Sequence, residues 1–145
     1  MKSSIAWAWP PFLTGPAAIA LLVLRVAVGW AFMIHGWGKI QHPFGWMGAN
    51  TSTPAFLQAL AALSEFAGGL AWILGLLTPL ASLGILCTMC VAVGMQLSHG
   101  AAFVMGDETF ELPLAYLAVA LVILWVGPGS LSLDRIWVRK DPRQF

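Results

Sequence analysis

Leu21-Leu22-Val23-Leu24-Arg25-Val26-Ala27-Val28-Gly29-Trp30-Ala31-Phe32-Met33-Ile34-His35-Gly36-Trp37-Gly38-Lys39 is an apolar run long enough to cross a bilayer, with an arginine near its middle. A charge at that depth costs about 2.5–3.5 kcal/mol on insertion scales, so Arg25 must face a partner or a wet cavity. A hydrocarbon core about 30 Å thick needs about 20 apolar residues per helix. Runs approaching that length recur, giving four spans at roughly 17–36, 56–77, 80–97 and 112–126. Glu65 is the one acidic residue inside any of the other three.

The composition agrees. Hydrophobic residues make up 59% of the 145 and charged residues 9%, whereas soluble domains carry about a quarter charged residues. Backbone groups in lipid must be satisfied within the chain, so the spans are helices. The expected fold is therefore all-α: one membrane domain over 1–145, a four-transmembrane-helix bundle with short loops. A net charge of +1 without a clustered basic footprint excludes a nucleic-acid surface. Lys2 precedes an apolar run that lacks an Ala-x-Ala-like cleavage site, so the first span is read as retained.

Residues 1–16 carry Trp7, Trp9 and Phe12, which suit the headgroup level. The 38–54 loop holds Trp46 as an interface anchor, and Thr53-Pro54 reads as a helix start. Leu77-Thr78-Pro79 is so tight that spans 2 and 3 must be antiparallel neighbours. The 99–111 loop is acidic through Asp107, Glu108 and Glu111, and Gly127-Pro128-Gly129 stops span 4. The tail 130–145 sets Arg135, Arg139, Lys140 and Arg143 among Leu131, Leu133, Ile136 and Trp137, as an amphipathic segment on a membrane surface would. Five Lys and Arg lie in the termini against Lys39 alone in the first and third loops, which predicts both termini cytoplasmic.

Depth arithmetic relates Arg25 to Glu65. Taking span 1 to end near Gly36, each charge lies about 15–18 Å below the outer end of its helix, at one level on antiparallel neighbours. Either they form a structural ion pair, or they are functional charges at a ligand pocket or proton path. A second group, His35, Lys39, Gln58, Gln96, His99 and Tyr116, gathers near the outer ends of the spans. These polar tips are either ordinary interfacial side chains or the polar end of a pocket for a lipophilic ligand such as a quinone. Cys87-Thr88-Met89-Cys90 is either a redox pair or two small buried core residues. The three histidines lack i,i+4 spacing on one helix, and no metal site is expected.

Several of these segments resemble DoxX-family membrane proteins. They are Arg25 with Gly29, His35-Gly36-x-x-Lys39, Glu65-Phe66-Ala67-Gly68-Gly69, Leu74-Gly75-Leu76-Leu77-Thr78, and Gly127-Pro128-Gly129-Ser130-Leu131-Ser132-Leu133-Asp134. The similarity runs over about 17–137 and implies a four-helix, multi-pass protein of a bacterial-type inner membrane. The family takes its name from subunits of thiosulfate:quinone oxidoreductases and terminal-oxidase systems. It thereby implies a membrane subunit associated with a quinone-linked oxidoreductase, with quinone bound non-covalently. The alternative is a non-catalytic accessory subunit packed against a larger energy-converting complex. Without a haem-attachment or iron–sulfur motif, any catalysis would need another subunit as electron donor. Four helices bury only part of their surface, so the expected partners are lipid and further copies or other membrane subunits.

Overall fold

Along the first span, Arg25, Gly29, Phe32, Gly36 and Lys39 recur in alternating steps of four and three residues, which keeps them on one helical face. Gln58, Ala62, Glu65, Gly69 and Trp72 repeat the pattern in the second span. In the computed structural model these two stripes meet. The structure describes residues 12–49, 51–106 and 108–139. Its helices are α1 (Pro16–Gln41), α2 (Ala55–Leu74), α3 (Thr78–Ser98), α4 (Glu111–Val126) and α5 (Leu133–Arg139). The interfacial reading of residues 1–11, Asp107 of the acidic loop and the tail beyond Arg139 fall outside the described residues.

Three helices, α1 to α3, are long and apolar enough to cross a membrane, and α4 is a shorter apolar helix. Together they form an antiparallel four-helix bundle. Its core takes Leu21 and Phe32 from α1, Trp72 from α2, Ile85 and Met89 from α3, and Ala120 and Ile123 from α4. Phe32 meets the Trp72 ring edge-on with centroids 5.7 Å apart, and the Trp72 indole N–H donates to Ser82 Oγ at 3.0 Å.

Glycine sets how closely α1 and α2 approach. A Cβ on Gly29 would stand 2.6 Å from the Gly69 carbonyl oxygen, and one on Gly36 would stand 2.6 Å from the Phe66 nitrogen. Both obstacles are backbone, so the helices would have to separate. Gly29→Ala and Gly36→Ala should each cost about 1–3 kcal/mol, as overpacking of a close interface does. Gly38→Ala is the control, because nothing lies within 4 Å of its added methyl group. Denaturation followed by circular dichroism in detergent checks this, and equal behaviour of Gly29→Ala and Gly38→Ala would refute the close packing.

The second span ends earlier than its apolar run, at Leu74, because Gly75 takes the left-handed conformation (φ 64°). The Leu76 N–H returns to the Ala71 carbonyl at 2.9 Å, closing a Schellman-type end. Leu77 is also left-handed, at φ 49°, a strained setting for a residue with a branched side chain. It is held there from far along the chain: Asp134 accepts from the Leu77 N–H at 2.7 Å and from the Thr78 N–H at 2.9 Å. The carboxylate thus caps α3 from the opposite end of the sequence.

Candidate functional site

Two polar centres sit at opposite ends of the α1–α2 seam. At one end Arg25 is fully buried. Its Nη1 donates to the Pro128 carbonyl at 2.6 Å and its Nη2 to the Leu131 carbonyl at 2.7 Å. These carbonyls are free because Gly127 (φ 80°) and Gly129 (φ 74°) turn the chain away from α4 and back under the bundle. Asp134 is also fully buried and lies within the electrostatic reach of Arg25. Its own N–H donates to the Gly75 carbonyl at 2.8 Å. Ser132 Oγ accepts from the Arg135 N–H at 3.3 Å, capping α5.

At the other end Lys39 Nζ lies 2.6 and 2.7 Å from the two carboxylate oxygens of Glu65. The Glu65 side chain is 4% exposed and that of Lys39 26%. Trp46 covers the pair, with its ring centroid 4.4 Å from Lys39 Nζ. Gln58 fixes this roof. Its backbone carbonyl accepts from the Trp46 indole N–H at 2.9 Å, its Oε1 accepts from the Met47 N–H, and its Nε2 donates to the Thr53 carbonyl.

The expected Arg25–Glu65 pair is therefore corrected: each charge has a different partner. The first helix does not stop near Gly36 but runs to Gln41. Five extra residues displace the depth estimate by about 7.5 Å. Gly36 against Phe66 puts Glu65 level with the Lys39 turn, while Arg25 comes up beside Gly75.

The expected polar group also divides. Lys39 and Gln58 line a groove between α2 and α3, of about 700 Å³, together with Trp46, Glu65 and Ser64. Its walls are otherwise largely apolar, including Leu57, Leu60, Leu80, Ala81 and Val91. His35 instead stacks edge-on with Tyr116 on the α1–α4 side, at 6.3 Å. Gln96 is half-buried in the last turn of α3, and His99 is exposed just beyond it. Cys87 and Cys90 are free thiols on the exposed surface of α3 rather than buried core, and Cys87 alone of the two lines the groove. Ser64 Oγ is buried and without a hydrogen-bond partner, packed near Gly84.

Two contributors were not singled out as site residues from sequence. Trp46 read only as an interface anchor, although its place between Lys39 and Gln58 was a usable signal. Asp134 stands at the end of a segment that carries the family resemblance, but its capping role has no local signal, because its partners lie 57 and 56 residues away.

The chain is 28% identical over 130 residues to Inner membrane protein YqjF of Escherichia coli K12, covering 84% of this chain and 95% of that one. It is 29% identical over 152 residues to the uncharacterized membrane protein Rv3486 of Mycobacterium tuberculosis, covering 93% and 91% respectively. No solved structure matches. The DoxX family model matches residues 20–105, which include the α1–α2 seam and its Lys39–Glu65 pair, and the chain belongs to the DoxX family of membrane proteins.

Proposed function

We propose that this chain is the quinone-holding membrane subunit of an oxidoreductase, with the α2–α3 groove as its binding site. The observation that carries the reading is the Lys39–Glu65 pair closing one end of an otherwise apolar groove. A quinone has two unlike parts, an isoprenoid tail that needs an apolar channel and a ring whose carbonyls need donors. The groove offers both, and about 700 Å³ falls within the range of small-molecule sites.

In this reading Lys39 donates to a ring carbonyl, Glu65 holds the ammonium in place, and the Trp46 indole stacks beside the ring. The bound quinone supplies the redox chemistry, accepting two electrons and two protons to become the quinol. The electrons come from a partner subunit, since the chain's own motifs include no electron carrier. The basic termini support a cytoplasmic location for the Arg25 end, which places the Lys39 end and the quinone ring toward the opposite face.

The test is fluorescence titration of the detergent-solubilised protein with a short-tailed quinone. Saturable quenching is expected, and the Trp46→Phe variant should lose most of it. Lys39→Gln should weaken binding about tenfold, the loss of one charge-assisted hydrogen bond. Quenching that does not saturate, or that is identical in Lys39→Gln, would overturn the site. The chain would then read better as an accessory subunit, and recovery of a larger complex from native membranes would be the next measurement.

A further inference from the structure

The short helix α5 has three distinct faces. Asp134 is buried and Val138 half-buried on the side against the bundle. Leu133, Ile136 and Trp137 are 42%, 55% and 59% exposed and share a second face. Arg135 occupies the third, and the sequence puts Arg139 one turn further along the same row. Lys140 and Arg143 follow in the chain. Arg135 Nη1 donates to the Ser130 carbonyl at 3.2 Å. Among the described residues that uses one of five guanidinium N–H donors, and the others are open to an external acceptor.

The helix cannot roll to hide its apolar face, because the Asp134 carboxylate is fixed on the Leu77 and Thr78 N–H groups. A tryptophan beside exposed aliphatic side chains, held at the end of a membrane bundle, belongs at the headgroup level. At that depth the neighbouring basic row meets lipid phosphates. We propose that α5 forms a subsite for anionic phospholipid. Leu133, Ile136 and Trp137 lie among the upper acyl carbons, Arg135 takes the phosphate of the headgroup, and the basic residues that follow in the sequence, Arg139, Lys140 and Arg143, add positive charge to this end of the chain. Charge complementarity selects the occupant: the row is basic, and the one acid on the helix is buried.

Native mass spectrometry of the delipidated full chain tests this, with phosphatidylglycerol and phosphatidylcholine offered in equal amounts. The protein should retain phosphatidylglycerol first, with a preference of about fivefold for each basic residue engaged. Arg135→Gln with Arg139→Gln should remove most of that preference, whereas the corresponding lysine pair should keep it. Arg135 also holds Ser130, so a second variant leaves it intact: Arg139→Gln with Lys140→Gln and Arg143→Gln should lose preference without loss of fold. Equal retention of the two lipids, or preference surviving in both neutralised variants, overturns the proposal. Inorganic phosphate at the same concentration should not displace the lipid. Full displacement would assign the row to free phosphate and likewise overturn it.

Discussion

Arg25→Ala should be among the most damaging single substitutions in this chain, lowering stability by about 3–5 kcal/mol. Removal of the guanidinium leaves the Pro128 and Leu131 carbonyls without donors in a buried setting and leaves the nearby Asp134 carboxylate with its backbone donors alone. Each unmade hydrogen bond of this kind costs about 1–3 kcal/mol. Arg25→Lys should recover only part, because an ammonium cannot fork onto two carbonyls as a planar guanidinium does. A double-mutant cycle separates the two possible partners. Arg25→Ala with Asp134→Ala should cost less than the sum of the single effects. Arg25→Ala with Glu65→Ala should be additive within about 0.5 kcal/mol, as separated sites are. Stability in detergent, read by chemical denaturation, supplies both numbers, and strong coupling of Arg25 to Glu65 would contradict the structure.

Lys39→Met should have the second largest effect, about 3 kcal/mol. It strands the Glu65 carboxylate, whose side chain is only 4% exposed, beneath the Trp46 roof. Breaking a buried pair from one side costs about 3–5 kcal/mol, and the partial exposure of Lys39 places the estimate at the lower end. Glu65→Gln with Lys39→Met should be considerably more stable than Lys39→Met alone, because the charge left behind is gone. In the proposed quinone site, the same double variant should still bind a short-tailed quinone about tenfold more weakly than the native chain. Stability and ligand affinity therefore part company at this site, and a variant that recovers both would argue against Lys39 as a headgroup donor.

The four apolar runs made the bundle legible, because lipid forbids open backbone and leaves the helix as the solution for such runs. The tight connection around Leu77 correctly made α2 and α3 antiparallel neighbours. The charge pairing is obscured at one point, the end of the first span. A span end near Gly36 places Gly38 and Lys39 in the following loop, yet the helix continues to Gln41. The steps from Arg25 through Gly29, Phe32 and Gly36 already led to Lys39, so the stripe held the information that hydropathy obscured. The Arg25 acceptors were beyond reach for another reason. They are backbone carbonyls, which no side-chain pattern marks, and they lie 103 and 106 residues away. Of the groove, the sequence marked the polar residues Lys39 and Gln58, but not its apolar walls on α2 and α3, which no motif distinguishes from other membrane-facing side chains.

The return of the chain beneath the bundle after α4 has a consequence for how the protein is made. Arg25 is translated more than a hundred residues before the carbonyls that receive it. At about 5–20 residues per second, the first span waits roughly 5–20 s for them. During that interval a guanidinium sits in or near the bilayer without its native acceptors, and α3 lacks the carboxylate that caps it. The buried polar contacts of the first three helices are therefore completed only when the Gly127–Asp134 segment folds back. A chain stopped before Pro128 therefore lacks both the acceptors of Arg25 and the carboxylate that caps α3.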